Sequence, residues 1–369
     1  MRLKKLTAVS LAAAMALSMT ACASKPAETE APATEAATEA ATETAEAVEE
    51  TVAEAVEGKD VSEVKVGISI YQFADNFMTL YRQELERYLV EDLGLKKENI
   101  SIMDGKNDQG EQMNQIRNFV TQGVDVMIIN LVQASSEPTV TEECNKAGIP
   151  VVYINREPEA EREQAWVDEG IKATYVGADA RQSGTFQGEE IAELEDKGDA
   201  DGDGVVRYAM IMGDPENVDA QYRTEKSIEA LKAAGVEVEE LFKNRGDWDQ
   251  TKGQELTANA LSQHGDKVDV VFCNNDAMAL GALQAIEAAG RVVNEDIYLV
   301  GVDALVECVE NVMNGKMTGT VFNDHFSQAQ TAADVALAFV NGEEVPNVNM
   351  VDYVKVTSEN AAEILEMIK

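Results

Sequence analysis

Asparagine, aspartate and arginine recur in one kind of place along this chain, immediately after a short apolar run. The run 64–71 is followed by Asp75 and Phe77, the run 124–131 holds Asn130 near its end, and the run 205–212 leads into Asn217, Asp219 and Arg223. Further on come Trp248 between two aspartates, Asn275 within Asn-Asn-Asp, Asp303 after Gly-Val, and Asn323 before Asp324. Each hydroxyl of a polyol both donates and accepts, and a planar carboxylate, amide or guanidinium engages two neighbouring hydroxyls at once. Phe77 and Trp248 add flat apolar faces of the kind that pack on the C–H side of a sugar ring. The chemistry these residues suit is reversible capture of a hydroxyl-rich small molecule. One of them alone is equally well explained as a cap on the next helix; it is the recurrence that points to a ligand.

A second cluster has different chemistry. Asp199, Asp201 and Asp203 alternate with small residues and end on Gly204, the first half of a calcium loop, in which carboxylates converge and the glycine permits a sharp turn. The spacing predicts bound calcium. The loop departs from the pattern at its ninth position, where Arg207 replaces an oxygen-bearing side chain, and the usual closing glutamate is missing. Catalytic equipment is sparse. His264 and His325 are the two histidines, both expected at the surface and neither beside a nucleophile, and no Walker, G-x-S-x-G, G-x-G-x-x-G or H-E-x-x-H motif occurs. The expectation is a binding protein and not an enzyme.

The elements that must position these residues are legible in the apolar runs 64–71, 100–103, 124–131, 151–155, 175–177, 205–212, 268–273 and 297–302, with amphipathic stretches between them. Runs apolar on both faces suit strands buried on both sides, and their alternation with helices predicts a doubly wound α/β fold with parallel sheets. About five units precede Glu157 and as many fall between 173 and 323, with a charged break at 157–170, so two lobes are expected. In such sheets ligands bind beyond the carboxyl ends of the strands, where the polar residues stand.

Ahead of the folded part, Arg2, Lys4 and Lys5 precede an apolar run at 6–19, which reads as an export signal too short for a membrane span. The stretch 17–22 resembles a bacterial lipobox, predicting lipidation of Cys22 and attachment to the outer face of the cell membrane. Residues 26–58 are almost entirely Ala, Glu, Thr and Val, with ten Glu, no basic and no aromatic residue, an acidic tether rather than a core. Leaving out the four basic and ten acidic residues before Lys59, of 30 and 68, 26 basic stand against 58 acidic, a balance of −32 that excludes nucleic acid as a partner. Cys144, Cys273 and Cys308 lack metal-type spacing and are expected as buried free thiols.

From residue 64 onward the chain resembles the periplasmic galactose/glucose-binding proteins of ABC transporters, through Tyr71-Gln-Phe-Ala-Asp-Asn-Phe-Met78, Asn107-Asp-Gln109, Ile129-Asn-Leu-Val132, Asn274-Asn-Asp-Ala-Met278, Gly301-Val-Asp-Ala304 and Asn323-Asp324. The resemblance implies a type I binding-protein fold whose chain crosses three times between lobes 60–157 plus 324–348 and 158–323 plus 349–369. It implies that Asp75, Asn130, Asp219, Arg223, Asn275, Asp303 and Asn323 hydrogen-bond D-galactose or D-glucose while Phe77 and Trp248 sandwich the ring. Asn217 stands where the family carries a histidine contact. The same resemblance adds the Val205 carbonyl and Asp269 to the calcium ligands. It implies a monomer that serves a membrane permease; a sugar receptor for a membrane sensory protein fits the same residues. A sugar-responsive repressor would need a basic helix-turn-helix at the N-terminus, where this chain has the signal and tether.

Overall fold

The computed structural model describes residues 59–369. The expected signal, Cys22 and the acidic tether lie outside them. Strands and helices alternate from the start: β1 (Val66–Ile70), α1 (Asn76–Arg87), β2 (Ile100–Asp104), α2 (Gln109–Gln122), β3 (Val126–Ile129), α3 (Glu137–Ala147), β4 (Val151–Ile154), α4 (Ala160–Glu169) and β5 (Ala173–Gly177). The pattern continues through α5 (Ala180–Ala192), β6 (Val206–Met212), α6 (Val218–Ala233), β7 (Val238–Arg245), α7 (Gln250–His264), β8 (Val270–Cys273), α8 (Asp276–Ala288), β9 (Tyr298–Val300), α9 (Val306–Met313) and β10 (Thr320–Phe322). It closes with α10 (His325–Val340), β11 (Val348–Met350), β12 (Val354–Val356) and α11 (Ala361–Ile368).

The first sheet has the order β11-β5-β4-β3-β1-β2 and the second β7-β6-β8-β9. Every pairing within these two sheets is parallel. Period-two geometry explains why their strands are apolar throughout. Val126 and Ile128 of β3 enter one core layer and Met127 and Ile129 the other, while Ala209 and Ile211 of β6 oppose Tyr208 and Met210 in the same way. Burying one such aliphatic side chain is worth about 1.5–3 kcal/mol.

The lobe boundary differs from the expected one. The break after Glu157 does not end the first lobe, because α4 and β5 follow it and β5 pairs in parallel with β4. The chain first crosses at 178–179, returns at 323–324 so that α10 packs its alanine face on the first lobe's core, and crosses again at 351–353 between β11 and β12. β12 meets β10 antiparallel, a pairing the all-parallel expectation did not contain. The crossing segments pack together through Ala178, Val321 and Tyr353. The three cysteines among the described residues, Cys144, Cys273 and Cys308, are buried and free, as their apolar surroundings predict.

Candidate ligand-binding site

The polar residues gather because their strands end at the same level and face one another across the lobes. A narrow cavity between the lobes is lined by Tyr71, Asp75, Phe77, Asn155 and Arg156 from the first lobe and by Asn217, Asp219, Arg223, Trp248, Asn275, Asp303 and Asn323 from the second lobe and the crossing strand. Nine of the ten residues singled out in the sequence line it. The tenth, Asn130, stands behind the wall: its Oδ1 accepts from the Tyr71 N–H at 3.2 Å and its Nδ2 donates to the Ile154 carbonyl and Asn155 Oδ1, both at 3.1 Å. Its amide ties the ends of β1 and β4 together, so Asn155 replaces it at the cavity.

Capping and cavity lining turn out to be compatible tasks. Asp75 Oδ1 accepts from the Met78 N–H at 2.7 Å, Asn217 Oδ1 from the Asp219 N–H at 3.1 Å, and Asn275 Oδ1 from the Met278 N–H at 3.0 Å. Each caps a helix with one atom while its side chain lines the cavity, which brings the N-termini of α1, α6 and α8 to the same space. Tyr71 Oη donates to Asp75 Oδ2 at 2.7 Å and fixes that carboxylate's orientation.

Arg223 is held from three sides. Its Nε donates to Ser183 Oγ at 3.2 Å, Nη1 to the Asn274 carbonyl at 2.8 Å and Nη2 to Tyr353 Oη at 3.0 Å, with Asp219 Oδ2 at 3.6 Å. Gly184 makes this possible, since a Cβ there would lie 2.8 Å from the Arg223 Cα. Tyr353 belongs to the third crossing, so the guanidinium links the cavity wall to the hinge. Asp303 receives Asn323 Nδ2 at 3.2 Å, and Asn323 Oδ1 accepts from Gln328 Nε2 at 2.6 Å. Burial pushes the Asp219 carboxyl up to about 6 against the pull of Arg223, and pushes Asp303 well above the usual range for the same reason.

Arg156, with Tyr71 and Asn155, escaped the sequence reading. It is fully buried, stacks 4.0 Å from the Tyr71 ring centre, donates through Nη1 to the Val132 carbonyl at 2.6 Å, and reaches Asp214 of the opposite lobe at 3.4 Å. Its Nε has no partner. The signal was present: Asn155 and Arg156 follow the apolar run of β4 as the other site residues follow theirs. Three cavity residues also sit at positive φ, Asn155 at 63°, Trp248 at 66° and Asp303 at 122°, backbone strain of the kind that collects at functional sites. His325 is buried rather than at the surface, its ring set edge-on to Phe77 and Phe322, and burial lowers its pKa.

Away from the cavity, the carboxylates of Asp199, Asp201 and Asp203 bring oxygens within 4.8 Å of one another. Asp199 accepts from the N–H groups of Gly202, Asp203 and Gly204, and Asp269 Oδ2 accepts from the Arg207 N–H at 2.7 Å. The expected calcium ligands face a fixed cation here. The Arg207 guanidinium lies 2.9 Å from Asp203 and 3.8 Å from Asp201, on the oxygens the cation would need, and position twelve of the loop is the buried Met210.

Two sheets joined by three crossings, with strand ends walling a small polar cavity, define a two-lobed solute-binding protein. The chain belongs to the periplasmic binding protein family, whose domain matches residues 66–344. It is 31% identical over 315 residues to the D-galactose/methyl-galactoside binding periplasmic protein of Haemophilus influenzae, covering 82% of this chain and 92% of the other. It is 33% identical over 302 residues to a putative rhizopine-binding protein of Rhizobium meliloti, covering 81% and 91%. An ABC transporter solute binding protein from Bacillus halodurans, solved with bound myo-inositol, superposes with a TM-score of 0.72 at 30% identity, covering 83% of this chain and 99% of that one. The protein is a binding protein, not an enzyme.

Proposed function

We propose that this protein is an extracytoplasmic sugar receptor, tethered through a lipid on Cys22, that binds one molecule of D-galactose or D-glucose and delivers it to the permease of an ABC transporter. The observation that carries the reading is the composition of the cavity wall: three carboxylates, two guanidiniums and four amides, with Phe77 and Trp248 as its flat apolar members. Planar groups that each span two hydroxyls, together with aromatic faces, are what a pyranose requires. The sugar is captured on one lobe and enclosed by rotation about the three crossings, its contacts with both lobes favouring the closed state. The likeness to the Haemophilus influenzae galactose protein supports the hexose, and the bound myo-inositol of the Bacillus halodurans structure favours a cyclitol as the second reading.

Titration calorimetry of the purified protein against D-galactose, D-glucose, D-ribose and myo-inositol tests this. One of the two hexoses is expected to bind tightest; a clear win for myo-inositol replaces the hexose by a cyclitol, and no heat with any of the four removes the reading.

A further inference from the structure

We infer that the loop 199–204 is held by a built-in cation, the Arg207 guanidinium, in place of a metal ion. The loop has the spacing of a calcium site through its first six positions, and three aspartates within one turn repel one another unless a positive charge is placed among them. Arg207 supplies that charge from the ninth position. Its Nη2 lies 2.9 Å from Asp203 Oδ2 and its Nη1 3.8 Å from Asp201 Oδ2, while Nε donates to Glu239 Oε2 on the neighbouring strand at 3.0 Å. One planar fork thus sets its charge beside Asp201 and Asp203 while its Nε holds the neighbouring strand, which a compact ammonium could not do.

Arg207 is also anchored where it must be to do this. It lies on β6, with its N–H bound to Asp269 Oδ2 at 2.7 Å and its carbonyl accepting from the Asp269 N–H at 2.8 Å, so its side chain leaves the sheet directly beneath the loop. The remaining carboxylate, Asp199, accepts three backbone N–H groups of its own turn. Of the eight carboxylate oxygens of Asp199, Asp201, Asp203 and Asp269, only Asp269 Oδ1, which is buried, has neither a backbone N–H nor the guanidinium beside it. A calcium ion entering here would share its oxygens with a fixed positive charge. The second lobe is therefore stable without calcium, unlike a protein whose loop carries oxygen at position nine.

The test compares melting temperatures with excess calcium and with chelator for the full chain, Arg207→Gln and Arg207→Lys. The native protein is expected to melt at the same temperature in both. Arg207→Gln, which restores an oxygen at position nine, should melt several degrees lower in chelator and recover with calcium. Arg207→Lys keeps the charge without the fork and should melt below the native protein while remaining indifferent to calcium. A native melting temperature that rises with calcium, or an Arg207→Gln protein that melts like the native one in chelator, overturns the inference. If Arg207→Gln does not fold in either condition, equilibrium dialysis of the native protein with radioactive calcium decides: no retained calcium upholds the built-in cation, and about one ion per chain refutes it.

Discussion

Trp248 reaches the cavity from a turn in which it and Asp247 both adopt left-handed backbone angles, φ 66° and 53°, a conformation a bulky residue adopts only when the surroundings enforce it. The contrast with Asn130 separates residues that touch a ligand from residues that build the wall. Trp248→Ala should weaken sugar binding by roughly 1–3 kcal/mol, the range for removing one stacked aromatic, with little change in melting temperature. Asn130→Ala should do the reverse. It leaves the buried Tyr71 N–H without its partner, a loss of about 1–3 kcal/mol, seen as a lowered melting temperature. Calorimetry and thermal melting on both variants check the pair, and an Asn130→Ala protein of native stability that binds no sugar would restore Asn130 as a ligand contact.

Each site residue is delivered by the end of an element, and the closeness of neighbouring elements sets its depth. A Cβ on Gly213, after β6, would fall 2.1 Å from the Trp248 ring, so the absence of a side chain there is what lets the turn after β7 lay its indole against the strand end. Gly213→Ala should therefore displace Trp248 and cost at least tenfold in affinity with the permease-independent fold intact; native affinity by calorimetry would show that the indole can shift without loss. The central strands were legible because both faces are buried. β7 was not, since Val238–Arg245 carries Glu239, Glu240, Lys243 and Arg245 on an exposed edge, where water hydrates charges that a central position would exclude. β10, β11 and β12, three residues each, are too short for any period to show.

Over the whole molecule, buried carboxyls set the pH dependence of stability. Burial raises Glu157 and Glu163 to about 7 and Asp219 and Asp276 to about 6, against ordinary values of about 4 in the unfolded chain. The folded state therefore holds more protons than the unfolded one between these values, and stability falls as pH rises through about 6 to 7. His325, whose pKa is lowered by burial, works in the opposite direction but is one group against these four and the likewise raised Glu190, Asp269 and Asp303. Calorimetric melting should give a higher melting temperature near pH 5.5 than near pH 7.5; the opposite order would mean that these carboxyls are ionised and solvated in the folded protein. The sequence by itself determined the α/β class, the two lobes and nine of the residues that meet at the cavity, because apolar period and strand-end chemistry are local properties written in consecutive residues. Only the tertiary structure decided that β5 stays with the first lobe, that Asn155 and Arg156 take the place given to Asn130, and that Arg207 folds back onto the aspartates. The first two depend on which distant segment a strand pairs with or a side chain reaches, and pairing across tens of residues leaves no mark in local spacing; the third depends on the turn that brings Asp203, four residues back, over the Arg207 side chain.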